Sequence, residues 1–398
     1  MNMPRPPLHV VQISFFSDPA RRLPEELLEA WPSLVDVADA VCRAGIRVSV
    51  VQASSHSQRL ERNGVRYYFL PFGAALPEIR QSAAFGELLR HLAPDVLHVH
   101  GLGFLRDVSS LATIAPGVPI ALQDHANRAP RFWRRASWRR GLSAAAGITF
   151  CALQQARPFV DAGLFAPRTK LYGIPESTSR FTPGEQAEAR RATQVSGDPA
   201  VLWVGHLDAN KDPLTVLDGI SEAARTLPRL QLYCCFGIAP LLRAVEERIA
   251  ADPLLRGRVH LLGRVPHARI EQLMRAADVF VLGSHREGSG FSLIEALACG
   301  LPPVVTDIPS FRSLTGTGAV GMLWPCDDAR ALGAALRAVV AHSGGPMRAA
   351  VRAHFDRELS FDALGVKLAA MYQDLLERDG STADLRAPSH EHRALRSF

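Results

Sequence analysis

The 398-residue sequence has no long apolar run, and none approaches the ~18 consecutive residues that a membrane-spanning helix requires. Its first residues, M-N-M-P-R-P-P-L, lack the apolar core of a signal peptide. The six cysteines show no C-x-x-C spacing, which indicates reduced thiols and argues against a disulfide framework or a zinc site. We therefore expect a cytoplasmic protein, and its composition of 47% hydrophobic and 21% charged residues is ordinary for a globular chain.

Several ligand-binding motifs are also missing. The segments G-L-G-F-L-R from Gly101 and G-S-G-F-S-L from Gly288 each lack the third glycine of a dinucleotide-binding turn, and G-x-x-x-x-G-K-[ST] is absent. His98 and His100 share one strand face, but no third metal ligand follows at a suitable spacing. Because no D-x-D motif occurs either, we predict no metal ion. We also predict no cofactor and no nucleic-acid partner.

Strand and helix patterns alternate along the chain and begin again near its middle. The first series starts with a strand at 8–16 and a single helix at 27–43. The second series follows the polar stretch 184–199, which suits a linker between two domains in a chain of this length. The predicted fold is therefore α/β, with Rossmann-like doubly wound domains at 1–183 and 184–360 and a disordered tail at 380–398.

One stretch of the second half concentrates residues that suit a sugar nucleotide. Residues 279–282 predict a buried parallel strand, a glycine-bearing loop follows, and 292–299 predicts a helix that ends at Gly300. The backbone amides and the dipole at such a helix start favour a phosphate. Glu287 would repel a phosphate and therefore suits hydroxyl groups, whereas Glu295 can accept hydrogen bonds from a sugar diol. The alternative is a buried strand, turn and helix with two solvated glutamates.

The seven-residue spacing between Glu287 and Glu295 resembles the E-x7-E motif of retaining glycosyltransferases with the GT-B fold, family 4 in particular. The pattern around the motif is similar to that of the family across residues 277–305. The resemblance implies a GT-B architecture, in which two Rossmann-like domains face each other across a cleft and a last helix, at about 361–378, packs back on the first domain. It also implies a retaining, metal-independent hexosyltransferase that uses a nucleotide diphosphate sugar.

The resemblance implies roles for residues on the donor side. Glu287 would bind the donor sugar, and Glu295 the ribose diol. Lys211, in V-G-H-L-D-A-N-K-D, would stabilise the charge on the leaving diphosphate. His206 stands where the family has an arginine, so it can hold the diphosphate only when protonated or, more weakly, as a neutral donor. The residues that let the donor approach the backbone are Gly288, Ser289, Gly290 and Phe291.

On the acceptor side the resemblance is looser. His125, in L-Q-D-H-A-N, resembles the family's histidine beside the donor sugar, and His100 is predicted to line the cleft. The predicted catalytic residues are His125, Lys211 and Glu287; for the histidine, a structural role is the alternative. The family usually has a glycine-rich turn after its first strand, but here S-F-F-S-D-P-A-R-R-L-P-E-E contains no glycine. Residues 306–315 also lack the glutamate of many relatives.

The segment 128–140, R-A-P-R-F-W-R-R-A-S-W-R-R, has no acidic residue. Its six arginines equal the whole net charge of +6, and they are Arg128, Arg131, Arg134, Arg135, Arg139 and Arg140. Basic and aromatic residues together suit an anionic surface, such as the inner face of a membrane, or an anionic acceptor. The interpretation that we favour is a solvated helix face whose tryptophans reach the core.

The predicted function is therefore transfer of a sugar from a nucleotide diphosphate to an acceptor hydroxyl. The acceptor remains open among a glycan, a lipid-linked molecule and a small molecule. A GT-B sugar-nucleotide epimerase or hydrolase is one alternative. A non-catalytic GT-B subunit that positions a partner is another. His206 and the glycine-free first loop favour it, whereas the intact Lys211, Glu287 and Glu295 argue against it.

Overall fold

The computed structural model describes residues 7–71, 83–342 and 344–377, so the predicted tail at 380–398 lies outside the described residues. The chain forms two β-sheets with helices packed against them. Within these residues, no helix combines the length and the apolar character needed to cross a bilayer.

The first domain contains eight strands and six helices in its described part. The strands are β1 (His9–Ser14), β2 (Arg47–Ala53), β3 (Gln58–Arg62), β4 (Val65–Leu70), β5 (Val96–His100), β6 (Ile120–Gln123), β7 (Ala145–Phe150) and β8 (Lys170–Gly173). The helices are α1 (Pro24–Ala30), α2 (Pro32–Arg43), α3 (Ala83–Leu92), α4 (Leu105–Ile114), α5 (Arg135–Leu142) and α6 (Arg157–Asp161).

The strand order of this sheet is β3-β4-β2-β1-β5-β6-β7-β8, and every neighbouring pair except β3 with β4 is parallel. The central strand β1 is buried along its whole length. Because successive residues of a strand point to opposite faces, Val11 and Ile13 enter one apolar core and Val10 enters the other. A parallel sheet that is buried on both faces explains the continuous apolar run in the sequence.

The second domain has a six-stranded parallel sheet of order β11-β10-β9-β12-β13-β14. Its strands are β9 (Ala200–Val204), β10 (Gln231–Cys235), β11 (Val259–Gly263), β12 (Val279–Leu282), β13 (Pro303–Thr306) and β14 (Met322–Trp324). Its helices are α7 (Gln186–Thr193), α8 (Pro213–Ala224), α9 (Leu242–Ala251), α10 (His267–Ala276), α11 (Phe291–Ala298), α12 (Pro309–Leu314), α13 (Ala329–His342) and α14 (Gly345–Glu358).

The last helix, α15 (Phe361–Leu376), packs against α2 of the first domain. The two helices approach closely at Gly365, where an added Cβ would lie 2.2 Å from the carbonyl oxygen of Ala40. Tyr372 is fully buried, and its hydroxyl lies 2.7 Å from Nδ1 of His98 on β5. The end of the described chain is therefore part of the core of the first domain.

Two local predictions are wrong. The single helix at 27–43 is two helices, because α1 ends at Ala30 and α2 starts at Pro32. A residue before proline is sterically disfavoured from helical geometry, and Trp31 has φ −120° and ψ 69°. The expected linker at 184–199 contains α7, which packs on α10 and pairs Arg190 with Asp278 at 2.6 Å.

The two sheets confirm the predicted α/β class with two doubly wound domains. In such sheets ligands bind at the crevice outside the carboxyl ends of the parallel strands. The boundary between residues 183 and 184 stays a prediction.

Candidate active site

The candidate site residues stand at the carboxyl ends of parallel strands in both domains. In the first domain, His100 is the last residue of β5, and His125 follows β6. In the second domain, His206 and Lys211 follow β9, and Glu287 follows β12. The loops that carry these residues face one another across the cleft between the domains, as the contacts below show.

Lys211 and Glu287 form an ion pair between Nζ and Oε1, and their side chains are only 16% and 14% exposed. The loops that carry them are tied together by backbone contacts. The amide of His285 donates to the carbonyl oxygen of Asn210 at 2.8 Å, and Nδ2 of Asn210 donates to the carbonyl oxygen of Arg286 at 2.9 Å. Two predicted site residues that are 76 positions apart in sequence are therefore in direct contact.

Gly288 lies where the two domains approach each other most closely in this loop. A Cβ added there would lie 2.7 Å from Oε1 of Glu176 and 3.0 Å from the amide nitrogen of Ala126. Nearby, Nε2 of Gln155 donates to the carbonyl oxygen of Glu287 at 2.7 Å. Glycine is needed at 288 because any side chain would separate the loop from the first domain.

The loop leads into α11 through a left-handed residue. Gly290 has φ 58°, and a Cβ there would lie 2.8 Å from the ring of Phe311. Ser289 is buried, whereas Phe291, the first helical residue, is 46% exposed. The amides of the first helical turn have no partner within the helix, and they carry the positive end of the helix dipole. This end of α11 can therefore receive an anionic group from the cleft.

Glu295 has a partner that the sequence analysis did not identify. Its Oε1 lies 2.6 Å from Nε2 of His267, the first residue of α10. The imidazole of His267 also packs on the ring of Phe181, with 4.7 Å between the ring centroids. The hydrogen bond to Glu295 raises the pKa of His267, although burial acts in the opposite direction. The contact therefore fixes the position of Glu295 and favours the charged, imidazolium form of His267.

His206 borders a separate cavity of about 200 Å³ at the ends of β9, β10 and β11. Its Nδ1 accepts a hydrogen bond from the amide of Ile238 at 3.3 Å, so the proton of a neutral imidazole is on Nε2. Arg264 lines the same cavity and, among the described residues, has no ion-pair partner. The permanent charge beside this cavity is therefore that of Arg264, which the sequence analysis missed.

His125 forms an ion pair within the first domain, in which its Nδ1 contacts Oε2 of Glu176. Glu176 is 4% exposed and follows β8. Burial alone would lower the pKa of His125, but the hydrogen bond and charge of Glu176, together with the charge of Asp124, raise it above its usual value. The pair lies against Gly288 and so belongs to the cleft.

Three imidazoles stack from the cleft into the first domain. The ring centroids of His125 and His100 are 5.7 Å apart, and those of His100 and His98 are 5.0 Å apart. Burial, with a smaller contribution from His125, lowers the pKa of His98 to about 3. Burial also lowers the pKa of His100, and its Nε2 has no hydrogen-bond partner among the described residues. His98 and His100 are therefore neutral bases, whereas His125 has a counterion.

A cavity of about 380 Å³ opens beside His100 and His125 in the first domain. It is formed by the loops after β1, β5, β6 and β8 and by the first half of α2. Its volume is within the range of small-molecule sites, ~300–1,000 Å³. The residues that give it its character are Phe16, Trp31, Leu34, Phe104, His125 and Glu176.

Among the described residues, Asp212, His285 and Asp327 are the group whose ligand atoms are close enough to hold a metal ion together. Nε2 of His285 lies 3.4 Å from Oδ2 of Asp212 and 3.8 Å from Oδ1 of Asp327. Ion pairing between one imidazole and two carboxylates also accounts for this group. Asp212 directly follows Lys211, and His285 stands two residues before Glu287, so this group borders the loops of the candidate site.

The arginine-rich segment 128–140 forms a short 3₁₀ turn and α5. Trp138 is buried in the core, as the favoured interpretation requires, but Phe132 and Trp133 are 75% and 59% exposed. The guanidinium of Arg131 lies 5.3 Å from the ring centroid of Trp133. Arg139 has a structural contact, because its Nε donates to the carbonyl oxygen of Gly163 at 2.8 Å. Only one of the two tryptophans of this segment therefore reaches the core.

Solved structures share this architecture. Sucrose-phosphate synthase from Thermosynechococcus elongatus superposes with a TM-score of 0.65 at 20% identity, covering 92% of this chain and 99% of that one. HepE from Anabaena, crystallised with UDP and glucose, gives a TM-score of 0.66 at 18% identity and covers 92% of this chain and 100% of the other. These similarities confirm the predicted GT-B fold.

Two family models match the chain in succession. Residues 30–175 match the model described as "Glycosyl transferase 4-like domain", and residues 185–354 match "Glycosyl transferases group 1". This chain belongs to the family 4-like glycosyltransferases of the GT-B fold.

Among its relatives, the D-inositol 3-phosphate glycosyltransferase of Geodermatophilus obscurus is 32% identical over 235 residues, which are 56% of this chain and 52% of the relative. The GDP-mannose:cellobiosyl-diphosphopolyprenol alpha-mannosyltransferase of Xanthomonas oryzae pv. oryzae is 24% identical over 63% of this chain and 65% of its own length. The chain thus spans about half to two thirds of the length of these relatives.

Three residues of the candidate site were not identified from the sequence: Glu176, Arg264 and His267. Glu176 and His267 each contact a predicted site residue that is far away in the chain, whereas Arg264 shares only a cavity with His206. Glu176 lies in I-P-E-S-T, a few residues before the predicted domain boundary at 183, so its position gave a weak signal. His267 and Arg264 stand in G-R-V-P-H, where nothing in the spacing indicates the cleft.

Proposed function

We propose that this glycosyltransferase family member transfers a sugar from a nucleotide diphosphate to an acceptor hydroxyl, with retention of anomeric configuration and without a metal ion in contact with the donor. The observation that carries the proposal is the placement of the Lys211–Glu287 pair at the start of α11, opposite His125 and Glu176. One cleft thus contains a cation, a helix start that suits an anion, and carboxylates that suit hydroxyl groups.

On the donor side, the diphosphate would bind between Lys211 and the amides at the start of α11. Glu287 would then exchange its contact with Lys211 for the hydroxyls of the donor sugar. Glu295, already oriented by His267, would bind the ribose diol. The cavity of His206 and Arg264 is where the nucleoside would extend, because it lies at the neighbouring strand ends.

In the transfer step, the bond between the anomeric carbon and the diphosphate oxygen breaks, and a bond to the acceptor oxygen forms on the same face of the sugar. The acceptor proton passes to an oxygen of the leaving diphosphate. The pairing of the cleft carboxylates supports this route: Glu287 is paired with Lys211, Glu176 with His125, and Glu295 with His267. Each carboxylate is thus already in contact with a positive or hydrogen-bonding partner, so none of the three is an unoccupied base beside the acceptor hydroxyl.

Lys211 would contribute mainly in the transition state. Negative charge grows on the diphosphate as the bond breaks, and a preorganised ammonium in a largely buried position stabilises that charge more than it stabilises the ground state. The relatives support a nucleotide diphosphate donor, since one is named for GDP-mannose and HepE was crystallised with UDP. Their acceptors differ: one is named for inositol 3-phosphate and one for a diphosphopolyprenol glycan.

The test measures binding first and turnover second. Calorimetry with UDP, GDP and ADP identifies the base, and the matching sugar nucleotides are then incubated with candidate acceptors. The expected product retains the anomeric configuration by NMR, and EDTA leaves the rate unchanged. Release of free sugar without transfer would identify a hydrolase, and an epimerised sugar nucleotide would identify an epimerase. Nucleotide binding without any turnover would favour the non-catalytic subunit. Loss of activity in EDTA would contradict metal independence and point to Asp212, His285 and Asp327.

The same proposal includes a cytoplasmic location, with peripheral contact between the segment 128–140 and the inner membrane face. The exposed Phe132 and Trp133 and the neighbouring arginines support the contact. Wild-type protein is expected to sediment with phosphatidylglycerol vesicles at low salt but not with phosphatidylcholine vesicles. Replacing Arg128, Arg131, Arg134 and Arg135 by glutamine should abolish sedimentation. Arg139 is left intact because it holds Gly163. If the wild type stays in the supernatant, the membrane contact is wrong.

A further inference from the structure

The cavity in the first domain points to the class of acceptor. We infer that the acceptor carries its reactive hydroxyl on a molecule with an apolar group, such as an alkyl chain or a ring, and that this group occupies the cavity walled by Phe16 and Trp31. The inference rests on the proposed function, because it gives the acceptor of the same cleft a chemical class.

The wall is an aromatic pair at the mouth of the cavity. The ring centroids of Phe16 and Trp31 are 5.5 Å apart, and Phe16 is 54% exposed. A large aromatic ring exposed at the entrance of a cavity is costly unless something covers it, because its apolar surface remains in water. The neighbouring Phe15 has the opposite orientation: it is 1% exposed and packs near Phe104.

Local sequence explains why these rings project into the cleft. The carbonyl oxygen of Phe16 accepts a hydrogen bond from Nε2 of Gln52 at 2.7 Å, which fixes the backbone at the end of β1. Asp18 then accepts from the amides of Ala20 and Arg22, at 3.1 and 2.9 Å, and turns the chain back toward α1. Trp31 lies at the break between α1 and α2. The loop that lacks the family's glycine-rich turn therefore provides an apolar wall instead.

The interior of the cavity continues this apolar character. Leu34 and Val37, on successive turns of α2, are 7% and 1% exposed, and the ring of Phe104 also lines the cavity. None of the described lining residues is a lysine or an arginine. The nearby Arg22 is paired with Asp18 at 2.9 Å. A phosphorylated polyol would need a cation or several amide donors in this space, so an apolar group fits the described walls better.

The polar end of the cavity fixes how such an acceptor would lie. His125, Asn127 and Glu176 line this end, and Glu176 is the residue that contacts Gly288 of the donor loop. A hydroxyl at this end would reach the donor sugar, while the apolar group would extend toward Trp31. A molecule that is polar at one end and apolar at the other therefore matches the two ends of the cavity.

The experiment compares two probes that share a sugar and differ in the apolar group: n-octyl β-D-glucopyranoside, below its micelle concentration, and methyl β-D-glucopyranoside. Calorimetry is performed on the full chain saturated with the nucleoside diphosphate that binds best. The octyl compound should bind ~10- to 100-fold more tightly, because each buried methylene adds to affinity. Phe16→Ala and Trp31→Ala should each weaken binding of the octyl compound about tenfold. Neither variant should change the affinity for the methyl compound.

The matched control is Leu23→Ala, since Leu23 is 51% exposed in the same loop but does not line the cavity. It should keep the full preference. Ser33→Phe, which places a ring inside the cavity, should abolish octyl binding and tests the site without enlarging it. Equal affinity for the two probes, or an equal loss in Leu23→Ala, would overturn the inference.

Nucleoside diphosphate affinity, measured in the same variants, separates this inference from the proposed function. The cavity variants should keep that affinity, since none of their residues contacts Lys211 or the start of α11. If the nucleotide binds and is turned over but the octyl preference is missing, the acceptor class is wrong and the proposed function stands. If no nucleotide binds to the wild type, the proposed function fails first.

Discussion

The two sides of the cleft differ in how the chain encodes them. On the donor side, Glu287, Gly288 and Glu295 lie within nine residues of one another, in one strand–loop–helix unit. On the acceptor side, the cavity is built from the loops after β1, β5, β6 and β8 and from α2. A site within one strand–loop–helix unit is encoded by a short sequence motif. A site assembled from separate loops has no such motif, because a substitution in one loop alters only one wall of the cavity. Donor recognition is therefore readable from sequence, and acceptor recognition requires the fold.

The two sides also differ in charge. The donor side has Lys211 paired with Glu287 and an unpaired Arg264 among the described residues. The acceptor side has aromatic rings and two buried, neutral histidines, His98 and His100. If this contrast is correct, removing a charged side chain should reduce activity most on the donor side. Acid should reduce stability most in the first domain.

The largest effect is expected from Lys211→Ala. Removing a preorganised donor to developing charge costs ~10²–10³ in kcat in comparable sites. The variant should fold, because Lys211 stands in a loop and its main partner, Glu287, gains access to solvent. Turnover and nucleoside diphosphate affinity are measured together. Lys170→Ala removes a half-exposed ion pair with Asp374 and serves as the control, with near-normal activity. A loss in kcat of less than tenfold would assign the charge to another residue.

The fold and the donor side were largely predictable because each depends on short-range patterns. Buried parallel strands such as β12 appear as continuous apolar runs, and the Glu287–Glu295 spacing follows from one loop and about one helical turn. The helix at 27–43 was predicted as one element because its apolar spacing continues across Pro32. The break at Trp31 is a local backbone effect, and it places one wall of the cavity.

The missed residues share a different cause. His267 meets Glu295 across 28 positions, and Glu176 meets His125 across 51. Such pairs depend on which strands are neighbours in the sheet, and no spacing rule within one segment reports this. The polar stretch 184–199 was predicted as a linker because its charges look solvated. Its Arg190 and Gln186 instead bind Asp278 of the second domain.

The next largest effect is expected from Glu295→Gln, which should weaken nucleoside diphosphate binding by ~1–3 kcal/mol, the cost of leaving hydrogen-bond partners poorly satisfied. The amide is a weaker acceptor for a ribose diol and no longer favours the charged form of His267. Calorimetry is compared with Glu246→Gln, an exposed glutamate of α9 that should bind normally. Unchanged affinity in a folded Glu295→Gln protein would remove Glu295 from the ribose site.

A change of about 1.4 kcal/mol per pH unit for one proton is expected in the free energy of unfolding in acid. His98 has a pKa of about 3 in the folded chain because it is buried. The pKa in the unfolded chain is ~6.5. Between these values only the unfolded chain binds the proton, so stability falls as the pH falls. Its neighbours, His100 and Tyr372, offer no negative charge.

The measurement for this prediction is urea unfolding of the wild type and of His98→Asn between pH 6.5 and pH 4. The variant loses the bond to Tyr372 and is less stable at neutral pH, so the slope with pH is compared and not the absolute free energy. His91→Asn, at an exposed position of α3, is the control and should keep the wild-type slope. Identical slopes in all three proteins would show that His98 titrates normally.

The smallest effect is expected from His206, and it tests whether the donor side really relies on fixed charges. Because Nδ1 of His206 accepts from the amide of Ile238, the side chain offers the cleft one neutral N–H donor. A bond of this kind contributes ~0.5–1.5 kcal/mol, so His206→Ala should weaken nucleoside diphosphate binding by only about two- to tenfold. His206→Arg should tighten it, since a guanidinium adds a permanent charge and more donors. Calorimetry of both variants is compared with Lys211→Ala under the same conditions. A loss in His206→Ala as large as that in Lys211→Ala would mean that His206 binds the diphosphate as a cation. The donor side would then depend on protonation, and its contrast with the histidine-rich acceptor side would disappear.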